Sequence, residues 1–124
     1  MFSEIMYVTV FVSDQDKALD FYTNSFGFQK YADYNRPEGR FLKIALKDQG
    51  FEVLLWLGSA GGANATLGVG TLFIESDDLW KDFADLKARD VEFLEPEPEA
   101  YPFGMRVTAF DPDGNPVALR QTRK

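Results

Sequence analysis

Neither cysteine nor histidine occurs anywhere in the 124-residue chain. The first absence excludes disulfides and thiolate-held zinc; the second removes imidazole both as a general base and as a metal ligand. Any metal would need an all-oxygen site. Basic residues are also scarce, 13 Lys and Arg against 20 Asp and Glu, for a formal net charge of −7 and a pI near 4.5. That balance argues against a nucleic-acid partner, whose phosphates demand a basic face, and its field favours neutral or cationic ligands. The same charge also serves solubility alone. No apolar run approaches the roughly 20 residues that span a bilayer. Met1-Phe2-Ser3-Glu4 lacks the basic start and apolar core of a signal peptide. The expectation is a cytoplasmic protein with neither membrane nor nucleic acid as partner.

What is present is ample material for a core. The hydrophobic fraction is 45% and the aromatic fraction 15%, with twelve Phe. A chain of this size is ordinary for one domain and buries roughly two thirds of its unfolded surface. A single domain over residues 1–124 is therefore predicted, built from module one at 4–57, a linker at 58–70 and module two at 71–121.

The modules are read from local pattern. Met6 to Val12 is β-branched and aromatic, a strand. Ser13-Asp14 supplies a helix cap, and Ala18, Leu19, Phe21, Tyr22 and Phe26 recur at helical spacing before Gly27. A helix over 15–25 follows. Phe28 to Tyr34, Arg40 to Lys47 and Phe51 to Leu57 are the next strands, separated by turn-rich segments. Gly58 to Gly70 is Gly- and Ala-rich and reads as a flexible connection, since the strand after it rules out a phosphate-gripping loop. The second half repeats the order: strand Thr71–Ser76, a helix after Asp77-Asp78, then strands Val91–Leu94, Met105–Phe110 and Val117–Gln121. A constant separation of 64 relates Asp14 to Asp78, Leu19 to Phe83, Tyr22 to Leu86 and Gly50 to Gly114. Such self-similarity predicts a duplicated architecture. The fold class is α+β, two βαβββ modules.

The stretches from Val12 to Tyr22, Phe26-Gly27-Phe28 and Phe110-Asp111-Pro112-Asp113-Gly114-Asn115-Pro116 carry a resemblance. The chain resembles the vicinal oxygen chelate superfamily of glyoxalases, extradiol dioxygenases, fosfomycin-resistance enzymes and bleomycin-binding (antibiotic resistance) proteins, from about Ile5 to Gln121. Locally each motif has a plain meaning: a cap, core aromatics, and a turn whose Gly supplies positive φ. The resemblance implies that each module curls into half a barrel and that paired modules enclose a cleft. It also implies metal ligands, His or Glu, at four strand positions, which here are Tyr7, Leu54, Thr71 and Ala118. Leu54 and Ala118 have no donor atom, and hydroxyls alone are feeble ligands. The chain thus departs from the enzymatic pattern at all four positions, and a member with no resident metal or cofactor is predicted. A homodimer is expected from the same resemblance.

Side chains alternate across a strand, so residues in phase with those four share the cavity face. These are Tyr7, Thr9 and Phe11 in the first strand, and Glu52, Leu54 and Trp56 in the fourth. Thr71, Phe73 and Glu75 follow in the fifth, with Ala118 and Arg120 in the last. The opposite phase is uniformly apolar, as a helix-covered face should be. Aromatic area with a few charges suits a planar or cationic ligand, unless those aromatics simply fill the barrel. Arg36 and Arg40, in a loop at the mouth, read either as a clamp for an anionic group or as solvated charges. Glu95, Glu97 and Glu99, alternating with Pro, read as an extended charged segment.

Three functions are open. The first is a metal-independent binding protein sequestering an aromatic or cationic drug or metabolite, with no catalytic residue. The second is a lyase, isomerase or dioxygenase-like enzyme using a cavity carboxylate, Glu75 or Glu52, or a non-standard metal site. The third is a non-catalytic module whose partner is another protein.

Overall fold

The computed structural model describes residues 1, 3, 5–48, 50–58 and 71–122. Beyond Gly58, the predicted linker lies outside the described residues. The chain forms two compact units, Met1–Gly62 and Ala63–Lys124, each an open sheet with one helix.

Unit one runs β1 (Tyr7–Val12), α1 (Gln15–Phe26), β2 (Gln29–Arg36), β3 (Gly39–Ala45), β4 (Glu52–Leu57). The sheet order is β1-β4-β3-β2, with β1 and β4 parallel and the other pairs antiparallel. Local chemistry sets the helix ends. The Asp14 carboxylate accepts from the Lys17 backbone N–H at 3.0 Å, and Gly27 closes the helix at φ 75°, a left-handed conformation that glycine adopts without strain. The helix buries Gln15, Ala18 and Tyr22, three residues on one stripe. Against them lie Val10, Val12, Leu42, Ile44, Val53 and Leu55, all buried. Gln15 ties this layer together, because its amide Nε2 donates to the carbonyls of Arg40 and Leu55, each at 2.9 Å.

Unit two repeats the plan with a change. Its elements are β5 (Leu72–Glu75), α2 (Leu79–Ala88), β6 (Glu92–Phe93), β7 (Glu99–Tyr101), β8 (Gly104–Phe110) and β9 (Pro116–Thr122). The order is β5-β9-β8-β6, with β7 also paired to β8. Asp78 accepts from the Lys81 N–H at 3.2 Å, matching Asp14 and Lys17 in the first unit. Leu79, Phe83 and Leu86 face the buried Val107, Ala109, Val117 and Leu119. The chain from Asp111 to Asn115 is a closed turn. The Asp111 carboxylate accepts from the backbone of Asp113 (2.9 Å) and Asn115 (2.8 Å), and Gly114 has φ 81°.

Three expectations change. The segment 95–103 is not a single extended charged stretch: the chain bends over residues 94–97, the Glu95 carboxylate accepts from the Thr108 N–H at 2.7 Å, and the strand β7 begins only at Glu99. The second strand of module two is thereby split into two short strands on β8, so the βαβββ pattern is exact only in unit one. Finally, Gly50 and Gly114 are not conformational equivalents. The left-handed residue of the first turn is Asp48, at φ 62°. A different pair matches instead: Gly39 and Gly104 open β3 and β8 at φ 145° and 148°. At Gly104 an added Cβ would collide with the Gln121 carbonyl, so glycine there is a steric requirement.

Candidate functional site

The parallel register of β1 and β4 sets Tyr7 beside Glu52, Thr9 beside Leu54 and Phe11 beside Trp56. Their sequence neighbours Val10, Val12, Val53 and Leu55 are buried on the helix side. The six unit-one residues predicted to share a face therefore do share it, on the side of the sheet away from α1.

β2 and β3 widen that face. Tyr34 stands opposite Phe41, and their rings stack at 5.6 Å with an interplanar angle of 6°. The Phe41 ring meets Trp56 at 5.0 Å, and Trp56 neighbours Phe11. One aromatic side chain from each of the four strands thus forms a continuous row. Gly39 belongs to this arrangement, since a Cβ there would approach the Trp56 ring to 3.1 Å. The row is not sealed: Phe11 and Tyr34 are 38% and 39% exposed. At its end the Arg36 guanidinium lies 5.0 Å from the Tyr34 ring centre and 5.1 Å from that of Phe41. Such stacking is characteristic of arginine.

The next row along the strands holds Lys43, opposite both Ala32 and Leu54. Its ammonium is 3.0 Å from the Glu52 carboxylate, and the two side chains are only 17% and 18% exposed. The Tyr7 and Tyr31 rings lie 5.4 and 5.8 Å from Nζ. Hydrogen bonding to Glu52 holds the ammonium above the ordinary lysine value of 10.5. Glu52 is thus committed to Lys43 rather than standing as a free charge at a rim.

Arg40 points away from this face. Its guanidinium grips both oxygens of Asp33, at 2.9 Å each, and reaches Asp16 on α1 at 2.8 Å. It is a tie between helix and sheet, not a clamp for a ligand. The hydrogen bond from Arg40 is also the main reason that the Asp33 carboxyl is held below its usual value.

In unit two, Phe73 pairs with Ala118 and Glu75 with Arg120, on the face away from α2. Phe73 is 61% exposed, and the Arg120 guanidinium lies between its ring (5.1 Å) and that of Tyr101 (5.6 Å). Thr71 is half-buried just before β5. The Glu75 carboxylate accepts from both the N–H and the hydroxyl of Thr122 at 2.9 Å, so it also has local work. A depression of about 420 Å³ opens nearby, bounded by Glu75, Asp77, Ala100, Met105 and Thr122. Of the predicted residues only Glu75 borders it, so this depression is distinct from the aromatic row.

Alternation along β1 and β4 alone does not reveal Tyr34, Phe41 or Lys43. The signal was present in the sequence: Phe41 and Lys43 interleave with buried Leu42 and Ile44, and the short turn at Pro37-Glu38 carries Tyr34 back beside Phe41. On the second sheet Tyr101 arrives through β7, for which the sequence offers no strand pattern. A metal ion held in the family manner does not fit the residues present. Tyr7 and Thr71 offer hydroxyls and Leu54 and Ala118 offer nothing, while the carboxylate beside Tyr7, Glu52, is held by the Lys43 ammonium at 3.0 Å.

The model of the Glyoxalase/Bleomycin resistance protein/Dioxygenase superfamily matches residues 4–119. The chain belongs to that superfamily. The chain is also 30% identical over 122 residues to the protein YetH of Bacillus subtilis (strain 168), covering 98% of this chain and 100% of that one. Among solved structures it is similar to TnmS3, described as an antibiotic binding protein from Streptomyces sp. CB03234. That pair has 31% identity, 98% coverage of each chain and a TM-score of 0.81. A superfamily member from Sphaerobacter thermophilus DSM 20745 matches with 32% identity, 95% and 96% coverage and a TM-score of 0.81.

Proposed function

We propose that this superfamily member is a binding protein for a planar aromatic small molecule, acting without a resident metal. The observation that carries the reading is the row Tyr34–Phe41–Trp56–Phe11, a strip of ring surface on the side of the sheet away from the helix, exposed at Tyr34 and Phe11 and half-buried between them. Flat apolar area with a few placed polar groups is the usual composition of a small-molecule site. The antibiotic-binding description of TnmS3 supports a small-molecule ligand. Of the two ligand types suggested by sequence, the aromatic one is favoured over the cationic one. Glu52 and Glu75, the carboxylates on which a cation would depend, are engaged by Lys43 and Thr122. The same engagement weighs against an acid-base enzyme, whose proton carrier must be free to reach a substrate.

Equilibrium dialysis against a panel of planar aromatic antibiotics tests the reading. At least one should bind with Kd near or below about 1 μM, worth about 8 kcal/mol. If the folded protein bound none of them, the reading would fail. We also read the protein as a homodimer, supported by β2, an open edge strand exposed along nearly its whole length. Light scattering returning the 14.1 kDa chain mass would overturn that.

A further inference from the structure

We infer that Arg36 selects planar ligands bearing an anionic oxygen (a carboxylate, sulfonate or phenolate) at one end of the ring system. The inference rests on the binding function proposed above and adds the polarity of the ligand. Four observations on unit one support it.

The chain as a whole is acidic, with a net charge of −7, yet the helix-free face of this sheet is not. Its charged strand residues beside the aromatic row are Arg36, Lys43 and Glu52. Lys43 and Glu52 neutralise each other at 3.0 Å. Arg36 is then left as the uncompensated charge, with no carboxylate within 4.0 Å among the described residues; its contacts are the Tyr34 hydroxyl at 3.5 Å and two ring faces. A contrasting fate befalls Arg40, four residues on, which is saturated by Asp33 and Asp16. One arginine of this hairpin is spent on the fold and the other is available.

Geometry supports a clamp rather than a solvated charge. A guanidinium lying over rings keeps its N–H groups directed outward from the ring edge, in the plane that a second stacked layer would share. An aromatic ligand laid along the row beside Trp56 would place a terminal anionic group at that edge. There a guanidinium gives two parallel charge-assisted hydrogen bonds to carboxylate or sulfonate. Arg36 also sits directly before the Pro37-Glu38 turn, paired with Gly39, so the backbone that carries it is fixed by the β2–β3 ladder.

Two dyes that differ by one group provide the test: anilinonaphthalene sulfonate, and phenylnaphthylamine, which lacks the sulfonate. Each is titrated into the full chain and into Arg36→Gln and Arg36→Lys, with unfolding curves recorded for all three. The wild-type protein should prefer the sulfonate dye by about tenfold, and the preference should shrink as salt is raised. Arg36→Gln should abolish that preference while changing affinity for the neutral dye by less than about twofold, and Arg36→Lys should retain part of it because the charge survives without the planar fork. Equal wild-type affinity for both dyes would overturn the inference. So would a parallel loss for both dyes in Arg36→Gln, which would make the arginine a cover for the aromatic row. Binding of neither dye would instead strike the binding function itself.

Discussion

Removing the indole of Trp56 is the sharpest perturbation of the proposed site. Trp56 is half-buried, makes an edge contact with Phe41 at 5.0 Å and packs against the bare face of Gly39. A ligand stacked on it loses about 0.5–1.5 kcal/mol beyond area burial when the ring is removed. At 1.4 kcal/mol per tenfold, that is a roughly 2- to 12-fold weaker Kd. Phenylnaphthylamine, being neutral, isolates stacking from charge, and its own emission under direct excitation reports occupancy. Trp56→Ala should weaken it by at least that factor, whereas Trp56→Phe, which retains a ring, should weaken it less. Trp80→Phe supplies the control. Trp80 lies in the first turn of α2 in the other unit, is 48% exposed and touches Phe83, so its replacement should leave dye affinity within about twofold. Stability must be followed as well. Deleting a buried Trp costs about 3–5 kcal/mol, and for a half-exposed one about 2 kcal/mol is expected in denaturant unfolding. If Trp56→Ala destabilises the protein yet dye affinity holds, the aromatic row is core packing and the binding face lies elsewhere.

Gln15→Glu should destabilise the protein at neutral pH by about 1–3 kcal/mol, because a carboxylate would face the carbonyls of Arg40 and Leu55 that the amide now satisfies. The carboxyl introduced would have a raised folded-state pKa. The variant should therefore recover relative to wild type as pH falls through that raised value to the ordinary glutamate range, and a deficit independent of pH would refute the reasoning. The Asp33 carboxyl, held below 3.8 chiefly by the Arg40 hydrogen bond, gives the opposite sign. Its contribution is present above 3.8 and is lost as pH falls through the lower folded value, so Asp33→Asn should flatten the acid limb of a plot of melting temperature against pH. With both side chains near the surface the effect is worth up to about 1 kcal/mol, and an unchanged acid limb would refute it.

Much of this protein was determined by sequence alone, wherever the deciding interaction is short in range. Asp14 and Asp78 cap their helices through N–H groups three residues away, and Gly27 ends α1 by its own conformational freedom. The alternation in β1 and β4 separates a uniformly apolar helix face from a mixed one, because successive side chains must point to opposite sides. That sufficed for the α+β class, the duplication, and the common face of Tyr7, Thr9, Phe11, Glu52, Leu54 and Trp56. Tertiary structure alone decided which of these residues are occupied and by whom. Glu52 meets Lys43 only because β3 and β4 pair in one register, and Arg40 meets Asp16 across 24 residues of chain. Likewise β7 exists because β8 offers it an edge, not because Glu99-Ala100-Tyr101 is a strong strand sequence. A strand's periodicity names the face on which a side chain lies. Its neighbours on that face come from other strands, and their register depends on turns and packing across the whole sheet.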